Sequence, residues 1–430
     1  MFTRWFPKGS GRHLVATNTI SQLIGRLIST AAMTAMSVLI ARRFGSDGYG
    51  DFVKITTYIG FFYLFADFGL NALYVQGSVE QSTSLYKPSW QQLFGLRLVM
   101  SLVLIGAALG ILSLLPHSSL QGYTPLVRWG IILLSPAIIF QATITTTNGL
   151  FQKMLRYDLS AAAQNAGSII MLVISLVLIM IAPLSGAMVG VMSLFAGSLV
   201  TALVALYFVR FLHEAINPKF QPNTMIADVR ASLPLGLTLL FNLIYFHSDS
   251  VVLTLTRSTQ EVGIYGLAYK VFELPLVLPI FFINAVYPIL VRMSQKDARS
   301  SEQIFWKSLW ILLLAAVIIA SGLWMLAPLL RFIRPDFAAS ILPLKILLLG
   351  LPVFFVSALL MWILIAQKMR WQLLIIHSCA MILNVLLNIW YIPRFGYIAA
   401  AWITGISEAS ICAVSFLFVL NKFRQERNSI

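Results

Sequence analysis

The composition of this 430-residue chain excludes an ordinary soluble protein: hydrophobic residues make up 59% of it, charged residues only 10%, and the mean hydropathy is +0.86. A soluble domain carries about 25% charged residues, so a cytosolic enzyme, a disordered chain, a coiled coil and a secreted disulfide scaffold are all excluded. The net charge of +15 would favour a nucleic-acid partner in a soluble protein, but in a membrane protein basic residues collect in cytoplasmic loops, so no nucleic acid is expected.

Twelve apolar segments are each long enough to cross a bilayer as a helix, which takes about 20 residues. Their uniform apolarity excludes β-barrel strands, which alternate with a period of two. The first segment is too long for the apolar core of a cleaved signal peptide, so we expect it to be retained. The predicted spans are residues 17–41, 52–76, 90–115, 125–151, 158–182, 186–210, 231–256, 261–290, 304–331, 338–366, 371–392 and 396–421.

The longest connector lies between the sixth and seventh spans. We therefore predict an N-terminal six-helix lobe over residues 1–210, a cytoplasmic linker over 211–230 and a C-terminal six-helix lobe over 231–430. With both termini in the cytoplasm, 17 Lys and Arg residues fall in cytoplasmic segments and 6 on the opposite side. This bias favours cytoplasmic termini.

Equivalent turns in the two predicted lobes have similar sequences, and the matched turns are separated by nearly the same number of residues along the chain. A repeat as long as six spans implies two parallel, pseudo-symmetric six-helix bundles with a central cleft. The matched turns are Gln152-Lys153-Met154 with Gln367-Lys368-Met369, Phe44–Gly50 with Gln260–Gly266, and Pro183…Gly186 with Pro393…Gly396.

Ionisable side chains inside spans are the first candidates for function, because each costs several kcal/mol in hydrocarbon unless it faces a cavity or a partner. Seven bases are set against four acids, which predicts a wet, cationic interior that can hold an anion such as a phosphate. Asn18, Gln22 and Arg26 recur on one face of span one, and Asn242 lies in span seven. The bases are Arg26, Lys54, Arg97, Arg128, Lys270, Lys307 and Lys345, and the acids are Asp67, Asp249, Glu273 and Glu408.

Structural interpretations of the same residues remain open. Lys270 and Glu273 are three residues apart and can pair on one helix face. Arg26 and Asp67 can pair across adjacent helices only to hold the bundle together, and Arg97 can extend to the cytoplasmic interface.

Motifs for nucleotide, cofactor or metal binding are absent from the sequence: there is no P-loop, no GxGxxG between a strand and a helix, no HExxH and no CxxC pair. We therefore expect no cofactor and no metal site. The connectors predicted to be extracytoplasmic are short, which disfavours a catalytic domain, and two related lobes favour a transporter that works by alternating access.

Ordered motifs in both predicted lobes resemble those of a known family. In the first they are residues 40–50 and 65–70, which read IARRFGSDGYG and FADFGL; in the second they are residues 247–253 and 261–270, which read HSDSVVL and EVGIYGLAYK. With these motifs the chain resembles the polysaccharide-unit (O-antigen) flippases of the polysaccharide transport family, within the multidrug/oligosaccharidyl-lipid/polysaccharide exporter (MOP) superfamily. The resemblance covers nearly the whole chain. It implies an all-α integral membrane protein of about 12 transmembrane helices in a V-shaped, MATE-like arrangement.

The resemblance also implies a cargo and a location. The cargo is an undecaprenyl-pyrophosphate-linked oligosaccharide that crosses the bacterial inner membrane for O-antigen, lipopolysaccharide or other surface polysaccharide biosynthesis. A proton or sodium ion drives transport as in an antiporter, and glycan-assembly proteins are possible partners in the lipid bilayer. The residues expected to bind the cargo are Arg26, Arg97, Lys270, Asn18, Gln22 and Asn242, and those expected to couple the ion are Asp67, Asp249, Glu273 and Glu408.

Two other functions remain possible at this stage. A cation-coupled multidrug exporter of the same superfamily carries lipophilic and often cationic cargo, which a cationic interior disfavours. A membrane glycan polymerase or ligase is disfavoured by the short extracytoplasmic connectors.

Overall fold

The structure is a computed structural model that describes residues 11–71, 74, 89–116, 121–181, 183–283, 286, 298–367 and 369–428. Within these residues the chain is helical, and its β-type pairing is limited to an isolated bridge between Gln121 and Ser258. The predicted all-α class is thus confirmed. The main α-helices are α1 Gly11–Asp67, α2 Trp90–Leu114, α3 Pro125–Leu134, α4 Ala137–Lys153, α5 Tyr157–Ile181, α6 Gly186–Phe211, α7 Pro222–Thr256, α8 Thr259–Glu273, α9 Ala298–Leu326, α10 Leu330–Ile333, α11 Ile341–Ala366 and α12 Arg370–Asn428. Residues 277–283 are helical as well.

Ten helical stretches of the described residues are long and apolar enough to cross a membrane. Two of them, Gly25–Asp67 and Trp371–Gln425, contain 43 and 55 residues, about twice what one crossing needs. Each is interrupted by a glycine, Gly45 or Gly396, so each holds two of the predicted spans. The twelve predicted crossings are thereby accounted for.

The two interrupting glycines have left-handed backbone conformations. Gly45 has a φ of 76° and Gly396 a φ of 63°. Glycine adopts such angles without the steric cost that a Cβ imposes. A carboxylate also lies close to each position, because an added Cβ at Gly45 would lie 2.7 Å from Asp336 Oδ2, and one at Gly396 would clash with Glu261.

Hydroxyl caps and prolines fix several other helix boundaries. Ser89 begins α2 with a capping box, in which Gln92 N donates to Ser89 Oγ over 3.2 Å and Ser89 N donates to Gln92 Oε1 over 2.9 Å. Pro136 separates α3 from α4, and Pro275 lies in the 3₁₀ turn Leu274–Leu276 that follows α8. Both prolines remove a backbone donor, which ends a regular helix.

The described helices fall into two compact units. Unit 1 contains the described residues within 1–44, 54–119 and 123–240, and unit 2 those within 45–53, 120–122 and 241–430. This division assigns residues 211–240 to unit 1, whereas the lobe boundaries at 210 and 230 stay a prediction.

Each unit has its own apolar core. In unit 1, Trp90 stacks on Phe94 with ring centroids 5.6 Å apart, in a cluster that includes Phe151 and Val209. In unit 2, the rings of Phe272 and Phe354 meet edge to face at 5.3 Å. Apolar packing of this kind fixes the helices that carry the polar side chains described below.

Residues 45–53 pack closely on α8 within unit 2. Ser46 N donates to Asp336 Oδ2 over 3.2 Å, and an added Cβ at Gly50 or Gly263 would clash with the backbone of the other helix. We call this contact the Gly50–Gly263 crossing. Small residues let helix backbones approach in this way in membrane proteins.

Candidate functional site

The guanidinium of Arg97 is buried and satisfied inside unit 1. Its Nη2 donates to Asp67 Oδ1 over 2.7 Å, its Nε to Ala66 O over 3.1 Å and its Nη1 to Thr146 Oγ1 over 3.2 Å. The Arg97 side chain is 0% exposed, and that of Asp67 is 30% exposed. A buried charge is tolerated when it is paired and hydrogen-bonded. Asp67 is thus paired with Arg97 and not with Arg26, and Arg97 does not extend to the interface.

Lys270 and Glu273 form an ion pair along α8, as the structural interpretation of the sequence expected. Lys270 Nζ lies 3.1 Å from Glu273 Oε2, and the side chains are 24% and 51% exposed. Both side chains are partly exposed, so this pair is less buried than that of Arg97 and Asp67.

Three other predicted cargo-binding side chains are exposed: Gln22, Arg26 and Asn242. Arg26 belongs to none of the ion pairs within the described residues. The side chain of Asn18 lies outside the described part of the structure.

Several remaining intramembrane bases are engaged locally, which reduces the cationic excess predicted from the sequence. Lys54 is 1% exposed and has an interaction partner. Arg128 donates to Leu115 O over 2.6 Å and to Tyr123 O over 3.2 Å. Lys345 lies over the ring of Trp324, 5.1 Å from its centroid.

Unit 1 also carries a row of neutral polar side chains across α1, α4 and α5. Ser160 Oγ donates to Asn148 Oδ1 over 2.6 Å, and Ser29 Oγ donates to Asn165 Oδ1 over 3.3 Å. All of these side chains are half-buried. We call the row the amide band; its members are Ser29, Gln141, Thr145, Asn148, Ser160 and Asn165.

Unit 2 contains two buried carboxylates that are held by hydroxyl groups. Tyr245 donates to Glu408 Oε2 over 2.7 Å. Asp249 accepts from the hydroxyl of Tyr265, and Thr404 Oγ1 lies 3.4 Å from Asp249 Oδ2. Tyr245 and Asp249 are one turn apart on α7, and Thr404 and Glu408 are one turn apart on α12, so the two helices meet through two matched pairs.

Buried amides and serines lie on the same two helices. Ser248 Oγ donates to Asn384 Oδ1 over 2.6 Å, and Asn388 Nδ2 donates to Ser248 Oγ over 2.9 Å. Asn384 Nδ2 in turn donates to Ser407 Oγ over 3.0 Å. We call the two carboxylates and these partners the carboxylate network; its members are Tyr245, Ser248, Asp249, Tyr265, Asn384, Asn388, Thr404, Ser407 and Glu408.

The carboxylate network is acidic and has no ion pair within the described residues: Asp249 and Glu408 are 4% and 6% exposed, and neither belongs to a salt bridge there. A buried carboxylate without a basic partner is costly unless it takes up a proton or binds a cation. Oxygen-rich surroundings suit a hard cation. The network therefore has the chemistry to bind a proton or an alkali ion, while no cluster of three or more His, Cys, Asp and Glu side chains that could hold a metal occurs in the described residues.

The predicted ion-coupling residues separate into two groups. Asp249 and Glu408 belong to the carboxylate network, whereas Asp67 and Glu273 are paired with bases elsewhere. Sequence reasoning missed Tyr265 and Thr404 as partners of Asp249. The spacing of four residues between Thr404 and Glu408 was the available signal for a shared helix face.

The described helices form a multi-pass helical membrane protein. The sequence profile described as "Polysaccharide biosynthesis protein" matches residues 15–294, and the chain belongs to this family. The resemblance found from the sequence motifs is thereby confirmed. No curated protein matches the chain significantly.

Solved structures of transporters share this fold. The lipid II flippase MurJ in an inward closed conformation is 16% identical with a TM-score of 0.76, over 94% of this chain and 89% of that one. An inward-facing multidrug resistance MATE transporter is 13% identical with a TM-score of 0.77, over 95% and 99% of the two chains. A MOP superfamily transporter from Pyrococcus furiosus is 14% identical with a TM-score of 0.65, over 97% of both chains. At such identities the similarity concerns the fold alone.

Proposed function

We propose that this protein is a flippase that moves an undecaprenyl-pyrophosphate-linked oligosaccharide across the bacterial inner membrane, with both of its termini in the cytoplasm. The transported oligosaccharide is used to build O-antigen or another surface polysaccharide, including lipopolysaccharide. Membership of the polysaccharide biosynthesis family supports this cargo. The fold shared with a lipid II flippase supports the reaction class.

The observation that carries the proposal is the position of Arg26 on α1. Arg26 is exposed beside Leu27 and Ile28, which are 53% and 40% exposed, and the half-buried Ser29 of the amide band follows within one turn. An amphiphilic cargo needs such a combination, because its phosphates require a cation and hydrogen-bond donors while its polyprenyl chain requires apolar surface.

The predicted cargo-binding residues take unequal parts in this proposal. Arg26 attracts the pyrophosphate, and Asn18, Gln22 and Asn242 add hydrogen bonds. Arg97 and Lys270 contribute less, because each is already bonded to a carboxylate.

The carboxylate network couples transport to an ion gradient. A proton or a sodium ion that binds at Asp249 and Glu408 removes the cost of their buried charge, and this favours the conformation in which they are buried. After the ion leaves, the protein would return to the other conformation and carry the cargo across. Cargo and ion would then cross the membrane in opposite directions, as in an antiporter.

Complementation tests the proposal. In a strain that lacks the chromosomal copy, we expect the wild-type protein to restore surface polysaccharide, Arg26→Lys to restore most of it, and Arg26→Ala to reduce it at least tenfold. Equal amounts of each variant in the membrane fraction control for insertion. Normal surface polysaccharide with Arg26→Ala would contradict the assigned role of Arg26.

A cation-coupled multidrug exporter is the competing function, and the fold shared with a MATE transporter supports it. The same strain separates the two functions. Intact surface polysaccharide together with raised drug sensitivity in the deletion strain would establish the exporter.

A further inference from the structure

Two hydrogen bonds of the amide band join three helices. Ser29 on α1 contacts Asn165 on α5, and Ser160 on α5 contacts Asn148 on α4. α1 and α5 approach closely beside this point, since an added Cβ on Gly25 would lie 2.7 Å from Ala161 Cβ. The band is therefore held by the packing of the helices and is not a scatter of independent polar residues.

Two asparagines of the band have amide donors without a partner among the described contacts. Asn148 Oδ1 accepts from Ser160 Oγ over 2.6 Å, and Asn165 Oδ1 lies 3.3 Å from Ser29 Oγ, whose hydroxyl also donates to Gly25 O over 2.8 Å. Neither Nδ2 group has a partner among the described contacts. An amide carries two N–H donors on this nitrogen, so each asparagine keeps both donors available while its plane is oriented by the serine.

The available donors require water or a polar ligand. Asn148 and Asn165 are half-buried within membrane-spanning helices, and an unsatisfied polar group in hydrocarbon costs several kcal/mol. Further along α5, beginning one turn after Asn165, the helix exposes the apolar side chains of Ile169, Val173 and Val177.

The band is uncharged, and a cation lies at its edge. Its members are amides and hydroxyls without an acid or a base. Arg26 precedes Ser29 by three residues, which is about 4.5 Å along α1. Amides and hydroxyls match the hydroxyls of a neutral sugar, which both donate and accept, whereas Arg26 matches a phosphate.

We propose that the amide band is the saccharide-binding surface of the transporter and that Asn148 and Asn165 donate hydrogen bonds to hydroxyls of the sugars nearest the diphosphate. This inference rests on the proposed function and extends it. Sugars that bind the band would place the adjacent diphosphate at Arg26. A site built to bond hydroxyls discriminates strongly against a ligand that lacks them, because its polar groups are then left unpaired.

Binding of two lipid probes to the purified full-length protein in nanodiscs tests the inference. One probe is a polyprenyl diphosphate that carries a neutral oligosaccharide, and the other is the same polyprenyl diphosphate without sugar. We expect the wild-type protein to bind the sugar-bearing probe at least tenfold more tightly. The double variant Asn148→Ala, Asn165→Ala should lose about tenfold in affinity for the sugar-bearing probe and less than twofold for the sugar-free probe.

Two further variants control for a structural effect. Gln164→Ala removes an exposed amide from the same helix and should change neither affinity. Asn148→Gln keeps an amide at the site and should retain at least part of the selectivity for the sugar-bearing probe even if the alanine variants are unstable.

The remaining outcomes separate the inference from the proposed function. Equal losses for both probes in the double variant would overturn the inference, because a structural defect does not distinguish them. Wild-type protein that binds both probes equally would also overturn it and would leave the flippase assignment intact. Wild-type protein that binds neither probe would overturn the proposed function and the inference with it.

Discussion

The amide band of unit 1 and the carboxylate network of unit 2 are both made of polar side chains inside membrane spans, yet they differ in accessibility and in charge. Members of the amide band are half-buried and neutral, and both of its asparagines keep free donors. Asp249 and Glu408 are almost fully buried, and tyrosine hydroxyls bond both carboxylates. A polar site that is open to water can exchange large ligands, whereas a sealed site can exchange only a proton or a small ion. The difference supports the proposed roles, which are cargo recognition for the first region and energy coupling for the second.

The largest effect is expected from Asp249→Asn. The amide preserves the acceptor for Tyr265 but removes the negative charge, so we expect flipping in proteoliposomes to lose its dependence on a proton or sodium gradient and to fall at least 100-fold. Binding of the lipid-linked probe should change less than threefold. If flipping by the Asp249→Asn variant still depends on the ion gradient, the assignment of energy coupling to the carboxylate network is wrong.

Asp158→Asn is the matched control for this change. Asp158 is a half-exposed carboxylate that pairs with Arg156 over 2.9 Å. An exposed pair contributes about 0–1 kcal/mol, so gradient-driven flipping should remain within about twofold of the wild-type rate.

The ion pair of Arg97 and Asp67 should be the most sensitive structural feature of unit 1. Asp67→Ala leaves a buried guanidinium without its carboxylate, and removal of one partner of a buried pair costs about 3–5 kcal/mol. Thermal unfolding in detergent should show a clear drop in the melting temperature. The double variant Asp67→Leu, Arg97→Met, which removes both charges, should recover much of it. A double variant as unstable as Asp67→Ala would instead indicate that Arg97 has a role beyond neutralising Asp67.

The Gly50–Gly263 crossing should give a smaller effect. A methyl group at either position meets the backbone of the opposite helix, so Gly263→Ala forces the helices apart at a cost of about 1–3 kcal/mol. The measurement is disulfide formation between cysteines placed at Val53 and Gly266, whose side-chain positions are in contact, with and without Gly263→Ala. Gly322→Ala serves as the control, because an added Cβ there has no neighbour within 4 Å. Unchanged cross-linking in Gly263→Ala would show that the two helices accommodate an added methyl group at the crossing without moving apart.

Much of the fold could be predicted from the sequence, because apolar length and turn residues are local signals. The helix break at Gly45 falls in the connector between the first two predicted spans, and the break at Gly396 falls at the first residue of the last one. The partner of Asp67 could not be predicted, because the choice between Arg26 and Arg97 depends on which helices are neighbours. The contact of Thr404 with Asp249 could not be predicted either. Threonine hydroxyls in helices often bond only a carbonyl of the preceding turn, as Thr147 does to Thr143.

The smallest effect is expected from Lys270→Ala. The experiment tests whether Lys270 binds cargo, as proposed for Arg26, or only pairs with Glu273. Lys270 and Glu273 are partly exposed, and such pairs contribute about 0–1 kcal/mol. Lys270→Ala should therefore reduce flipping by less than about fivefold and leave the melting temperature nearly unchanged, whereas Arg26→Ala reduces it at least tenfold. The comparison uses the initial rate for one lipid-linked probe at several salt concentrations, because screening weakens an attraction between exposed charges. If Lys270→Ala matches Arg26→Ala in size and in salt dependence, Lys270 takes a direct part in attracting the diphosphate.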